Sequence, residues 1–310
     1  MNKCTELKNT DFIKTMMMFA VVIYHSCALW NKSGWFNQPP AEKSFLLTTL
    51  ASLLSSFHTY TFVFVSGYLF YYLKYEKMTY TSLKKTAAKR ANRLLVPFFF
   101  VTLLWTMPFH IAYYGFDAKD ILKRYVLMAA PDQLWFLVML FVLWCIFYLI
   151  SDRYNNLELK EELLVICLLM FWPLLNYYLR IPSVFQVTAA IGHFPMFAAG
   201  FLMRKYDSAD LYKKENCIVL VVLSLVLFVV DSYLTMKNII LYKLFDSLMQ
   251  LTNALTVFVV ANKTSMILKK PVYLQGTYQI LKKYNFAIYL LFVPSANYLH
   301  CYNNTERKSI

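Results

Sequence analysis

Charge is scarce in this chain. Only 15% of its 310 residues are Asp, Glu, Lys or Arg, where a soluble domain would carry about 25%. That shortage excludes an ordinary water-soluble globule. Acidic residues are scarcer than basic ones, 17 against 31, for a formal charge of +14. No two cysteines form a CxxC pair, so the six thiols (Cys4, Cys27, Cys145, Cys167, Cys217, Cys301) suggest neither a metal site nor a disulfide framework. They read as buried thiols. A Walker loop and a GxGxxG turn are both missing, which excludes the usual ATPase and dinucleotide sites. The first apolar stretch has no small-residue cleavage site and reads as an uncleaved anchor. Internal repeats, low-complexity segments and loops long enough for a soluble domain are also lacking.

What is present is apolar: 59% hydrophobic and 18% aromatic residues, with a mean hydropathy of +0.46. Long windows with little charge fall at about 12–30, 45–73, 94–114, 134–151, 163–179, 188–203, 217–236, 239–262 and 284–302. Each is long enough to cross a hydrocarbon core of roughly 30 Å as a helix. Only helices or closed barrels satisfy the backbone in lipid. The predicted architecture is therefore all-α, a polytopic bundle of about 9–10 transmembrane helices forming one integral membrane domain over residues 1–310. With the N-terminus cytoplasmic, inner segments hold 21 Lys and Arg and outer segments 9, with Lys243 inside a span. The basic surplus then follows the positive-inside rule. It predicts contact with membrane lipid and no nucleic-acid partner.

The first span carries a polar stripe. At 1.5 Å and about 100° per residue, Asp11, Lys14 and His25 fall within roughly 60° of one another, with Lys14 and His25 about 16 Å apart along the axis. Ionisable groups within membrane helices are costly and usually face a bundle interior or a watery cavity. An imidazole titrates near neutrality, which suits a general base. The bland alternative is a single hydrogen bond to a neighbouring helix.

A second candidate is the basic run Lys84, Lys85, Lys89, Arg90 and Arg93. Residues Lys74 to Arg93 read as a short amphipathic helix leading into Leu94-Leu95-Val96-Pro97, with the proline tolerated in the first turn of the next span. The run either anchors the chain to anionic head groups or binds phosphate through arginine forks. His58 and Ser66, in the second span, are candidates for lining the cavity of His25, and Ser66-Gly67-Tyr68 for simple helix packing. His110, His193 and His300 have no polar stripe around them and read as structural. Trp135, Trp144 and Tyr298 read as interfacial aromatics. The spans after residue 130 carry few charges, with Asp231, Lys243 and Asp246, near the ends of adjacent spans, the main exceptions.

These segments, in this order, resemble the membrane-bound acyltransferase-3 family, in particular its sugar O-acetylase-like group of the fucose 4-O-acetylase type. Asp11-x2-Lys14-x10-His25 is similar to the family's N-terminal signature. Phe57-His58 through Ser66-Gly67-Tyr68 resembles its "FHMPLFFFISGY" segment, and Lys89-Arg90-x2-Arg93-Leu-Leu-x-Pro97 its "KRxxRLLxP" segment. Leu134-Trp135-Phe136-Leu137, Phe197-Ala-Ala-Gly200 and Ala287-Ile288-Tyr289-Leu290 are similar to three later elements. The family's late element ordinarily continues into histidine and an acidic residue, where this sequence has Phe292 and Val293. The family also has ten spans, against nine read here.

The resemblance implies an enzyme of a bacterial inner membrane that moves an acyl group, acetyl from acetyl-CoA, onto a hydroxyl of a cell-surface glycan or a lipid-linked sugar. No metal is implied. His25 would be the base, and Lys89, Arg90 and Arg93 would meet the CoA phosphates. Lys14 would attract the donor or stabilise an oxyanion, with Asp11 holding it by an i, i+3 pair. A transporter or flippase for glycan intermediates is the rival from another class, though the paired halves common in transporters are not evident. A non-catalytic envelope-assembly protein is the other rival.

Overall fold

The computed structural model describes residues 3–27, 44–129, 134–206, 209–237, 239–268, 276 and 278–291. Among them there is no strand, and six helices are long and apolar enough to cross a membrane: Leu83–Ala112, Trp135–Asn155, Leu159–Leu179, Val184–Lys205, Lys214–Met236 and Tyr242–Ser265. The helices are α1 (Lys3–Cys27), α2 (Phe45–Ser55), α3 (His58–Tyr71), α4 (Leu83–Val101), α5 (Met107–Tyr114), α6 (Ala118–Ile121), α7 (Trp135–Asn155), α8 (Leu159–Leu169), α9 (Trp172–Leu179), α10 (Val187–Lys205), α11 (Lys214–Met236) and α12 (Tyr242–Leu268). A last helix, α13, covers 278–291. The first expected span coincides with α1, whose polar stripe lowers its hydropathy. The second is divided between α2 and α3 at Ser56-Phe57. The ninth begins in α13, while its remainder, with Phe292, Val293, Tyr298, His300 and Cys301, lies outside the described residues, as do Cys4's side chain and the outer cations Lys32, Lys43, Arg307 and Lys308.

Backbone packing divides the chain into two compact units, Met1–Tyr71 with Met196–Tyr289 and Tyr72–Pro195 with Leu290–Ile310. Two of the three crossings of the division fall at a helix irregularity. After Tyr71 the helix widens into a π turn, Tyr72–Glu76. In α10 the crossing falls at Pro195, inside the helix, which has no N–H to give the Ile191 carbonyl.

In the first unit, α1 packs on α2, α3 and α12, and α12 also packs on α3 and α11. Its core gathers Ile13 and Met17 from α1, Phe64, Val65 and Tyr68 from α3, and Ala254, Phe258 and Val259 from α12. Two glycines allow the tightest approach. A Cβ on Gly67 would collide with the Phe197 carbonyl, and one on Gly200 with the Phe64 carbonyl. Gly67 and the Phe197…Gly200 element, far apart in sequence, thus form one reciprocal crossing of α3 and α10, the small-residue packing common between membrane helices. Gly67 serves contact, and the break in the second span comes at Ser56-Phe57 instead.

In the second unit, α4 packs on α7. The expected helix from Lys74 to Arg93 is not one element. The π turn ends at Glu76, Met78 takes a left-handed φ of 51°, and α4 starts only after Ser82, whose side chain accepts from the Lys85 N–H at 3.4 Å. Pro97 consequently lies in the interior of α4, not in a first turn. It deprives the Arg93 carbonyl of its helical donor, and a second π turn, Thr102–Thr106, follows directly after α4. Helix α8 opens with a reciprocal capping box in which the Glu158 N–H donates to Glu161 at 2.9 Å. Exposed Val219, Val222, Leu225, Val226 and Val229 on α11 form the apolar surface expected to face lipid tails rather than water.

Candidate active site

Helix α1 is unbroken from Lys3 to Cys27, so the stripe read from the sequence is rigid. Met18 and Val21 share the face of Lys14 and His25, and they are buried. Phe19 and Ile23, roughly 110–150° around the helix, are exposed. The stripe therefore faces protein. Asp11, expected to hold Lys14, carries an ion pair at 2.7 Å to Lys282 of α13, a partner that no periodicity within α1 reveals.

His25 is 9% exposed. Its Nδ1 lies 2.7 Å from the Val21 carbonyl. A carbonyl can only accept, so Nδ1 carries the proton, and in the neutral ring Nε2 holds the basic lone pair. The tautomer is thus set by the turn of helix that carries the residue. His58 repeats this arrangement, with Nδ1 donating to the Leu54 carbonyl at 2.6 Å across the α2–α3 break. The break places His58 where α1 can reach it: the Tyr24 ring lies edge-on to His25 at 4.9 Å and 5.1 Å from His58. Two histidines with the same bonding pattern therefore flank one tyrosine. Tyr24 was missed in the sequence because an aromatic beside a histidine looks like any interfacial aromatic.

The break itself is pinned. Ser56 donates to the Leu53 carbonyl at 2.7 Å and accepts from Asn253 Nδ2 of α12 at 2.8 Å. Ser66 is not brought to the histidines. It lies eight residues along α3 from His58, about 12 Å, and its hydroxyl donates to the Phe62 carbonyl at 2.8 Å.

The second unit holds the basic candidates. They do not act alike. Lys89 and Arg93 are exposed, whereas Arg90 turns inward onto α7. Its guanidinium carbon sits 4.7 Å above the Trp144 ring and 5.7 Å from the Tyr80 ring, and Nη2 donates to the Tyr80 hydroxyl at 2.5 Å. Trp144 is fully buried, a shelf for a cation rather than an interfacial aromatic. Lys74 is held nearby on α7 by Asp152 at 2.8 Å, by the Ser151 hydroxyl and by the Tyr148 ring face at 4.5 Å. Stacking uses the faces of the Arg90 guanidinium, and its N–H edge is the part suited to phosphate oxygens.

His110 has a polar setting that the sequence did not reveal. Its Nε2 lies 2.9 Å from Asp120 Oδ2, and Arg124 Nε donates to both oxygens of the same carboxylate at 2.9 and 3.0 Å. Partial burial pushes the Asp120 carboxyl up, but the hydrogen bonds from His110 and Arg124, with the Arg124 charge, outweigh it and leave Asp120 below its ordinary value. His193 follows the structural reading more closely. It donates to the Ala189 carbonyl at 2.8 Å and lies 5.6 Å from the Trp135 ring.

No cluster of three or more His, Cys, Asp or Glu able to hold a metal ion occurs among the described residues. A family profile described as an acyltransferase domain, Acyl_transf_3, matches residues 7–300. A search of curated proteins and a search of solved structures each return no match.

Proposed function

Since the chain belongs to the acyltransferase-3 family, we propose that it transfers acetyl from acetyl-CoA to a hydroxyl of a cell-surface glycan or its lipid-linked precursor, with His25 as the general base. The observation that carries this reading is the Nδ1–Val21 bond. It gives the neutral ring its basic atom at Nε2 and fixes where that atom points. A sugar hydroxyl is a poor nucleophile and needs a base within hydrogen-bond reach. His25 takes the hydroxyl proton as oxygen attacks the acyl carbonyl. It returns that proton to the departing thiolate, so the imidazole is restored each turn. The donor supplies the activated carbonyl.

The other residues divide by distance. Lys14 lies about 16 Å down the same rigid helix from His25, beyond any hydrogen bond to an oxyanion formed beside Nε2. Of its two expected roles, attraction of the anionic donor is the one compatible with that spacing. Arg90, stacked yet with donors on its edge, fits a phosphate, and exposed Lys89 and Arg93 fit the electrostatic capture of one. The excess of cations on inner segments supports a cytoplasmic N-terminus in a bacterial inner membrane, with the donor arriving from the cytoplasm and the acceptor held nearer the outer face.

The experiment is surface-glycan mass spectrometry in a deletion strain complemented with wild type or His25→Ala. Acetyl groups restored by the wild type and absent with the variant support the reading. Equal acetylation by both refutes the role of His25. Glycan exported normally but never acetylated by the wild type would favour a flippase or an assembly protein, neither of which consumes a thioester.

A further inference from the structure

The ion pair between Lys74 and Asp152 is lopsided. At 2.8 Å apart, the lysine side chain is 10% exposed and the aspartate 76%. The cation belongs to the interior and the acid to the rim. Asp152 also accepts from the Tyr75 hydroxyl at 2.9 Å, and Lys74 gives a further hydrogen bond to the Ser151 hydroxyl. An ammonium and a phenolic O–H that converge on one carboxylate make a built anion site, filled here by a side chain in contact with water. Pairs with so exposed a member contribute little to stability, so the carboxylate can be exchanged for another anion.

That site adjoins Arg90. Lys74 Nζ lies 4.5 Å from the centre of the Tyr148 ring and the Arg90 guanidinium 4.7 Å from that of Trp144, and the two rings are 5.1 Å apart. Trp144, Tyr148 and Asp152 recur every fourth residue, so they share a face of α7 that runs about 12 Å along its axis. Two cations on adjoining rings repel each other, and Asp152 offsets only one of them. Arg90 has no carboxylate partner among the described residues, and its hydrogen bond goes to the Tyr80 hydroxyl. Lys74 to Arg93 holds seven Lys and Arg against one acid, Glu76, so the local field draws anions. A ligand with two separated anionic groups would complete the charge balance, one group at Arg90 and one where the Asp152 carboxylate sits. All of these residues belong to one compact unit.

We propose that Lys74 and Tyr75 form a second phosphate subsite beside Arg90, and that Asp152 fills it as an internal competitor until the donor displaces it. This rests on the acyl-transfer reading above. CoA carries a diphosphate and a separate ribose phosphate, which matches two cations held apart along one helix face. The carboxylate also acts as a filter, because an anion that reaches only one of the two cations gains less from displacing it.

The test is calorimetric binding of CoA to the full-length protein in lipid nanodiscs at low salt. Asp152→Asn should tighten the Kd about two- to fivefold, the range an exposed ion pair contributes, and misfolding cannot produce a gain. Lys74→Gln should weaken it about tenfold or more, as for a lost hydrogen bond to a charged group. Adding Asp152→Asn to Lys74→Gln should recover less than about twofold, because the two residues act through one contact. Glu158→Gln removes a charge from the segment after α7 and should shift the Kd by less than about twofold. Unchanged or weaker binding by Asp152→Asn, or equal tightening by Glu158→Gln, overturns the internal competition. An unchanged Kd in Lys74→Gln overturns the subsite. A wild-type protein that binds no CoA overturns the acyl-transfer reading itself, which separates the two failures.

Discussion

The surroundings of His25 and of Arg90 solve opposite problems with the same kind of helix. His25 is bonded to its own helix, its Nδ1 committed to the Val21 carbonyl, and elsewhere in the same unit the helices approach so closely that Gly67 and Gly200 meet backbone without any side chain. Arg90 is bonded outward, spread over the aromatic faces of Trp144 and Tyr80. In the proposed reading His25 is a proton-transfer group, which needs one tautomer and one direction, and a helix carbonyl provides both. In the same reading Arg90 binds charge and must keep its own in an apolar setting, and π faces stabilise a cation without neutralising it.

The largest effect should come from attacking the α3–α10 crossing in the unit that holds His25. Gly200→Leu drives a side chain into the Phe64 backbone, and the expected loss is about 3 kcal/mol. The melting temperature of the purified protein should fall by many degrees, and a change within error would mean the crossing is looser than the structure has it. The matching attack on the second region is subtler. Arg90→Lys keeps the charge and loses the planar stack and fork, and such sites do not treat the two residues as equivalent. The expected result is a KM for acetyl-CoA raised about tenfold with kcat nearly unchanged. A fall in kcat with unchanged KM would move Arg90 into the chemistry and erase the contrast.

Much of this contrast was legible in the sequence, for a definite reason. Hydropathy marks spans because lipid tolerates so few charges, and 3.6-residue periodicity placed Lys14 and His25 on one face before any coordinates. Periodicity, however, reports only on the helix that carries it. The partner of Asp11 is Lys282, near the other end of the chain. The shelf under Arg90 is Trp144, which by sequence alone resembled any interfacial tryptophan. Pro97 looked like a helix start because the apolar run begins beside it, whereas Ser82 caps the helix one basic stretch earlier. The tautomer of His25 needed the distance to Val21, since a histidine in a helix can equally bond across to another element.

Smaller effects bound the comparison. Asp120 is held below its ordinary value in the folded state. The stability it contributes is therefore present above the ordinary carboxylate range and lost as pH falls through it, near 4 and below. Asp120→Asn should flatten that acid limb of a melting-temperature-against-pH curve while leaving acyl transfer intact. An unaltered acid limb would remove the His110–Asp120–Arg124 corner from the account. Smallest of all is the Asp11–Lys282 pair. Both side chains are 41% exposed, so Lys282→Ala should cost no more than about 0.5 kcal/mol and vanish in high salt. A larger loss would make Asp11 a structural anchor for the first span.

The central claim is that Nε2 of His25 moves the proton. Its most direct measurement is single-turnover acetyl transfer by purified His25→Ala, with donor and glycan saturating. The account predicts a rate about 10²–10⁴-fold below wild type, with the KM for acetyl-CoA unchanged and a melting temperature close to the native one. A stable variant that transfers acetyl within a few-fold of the wild-type rate would contradict it and leave His25 a packing residue.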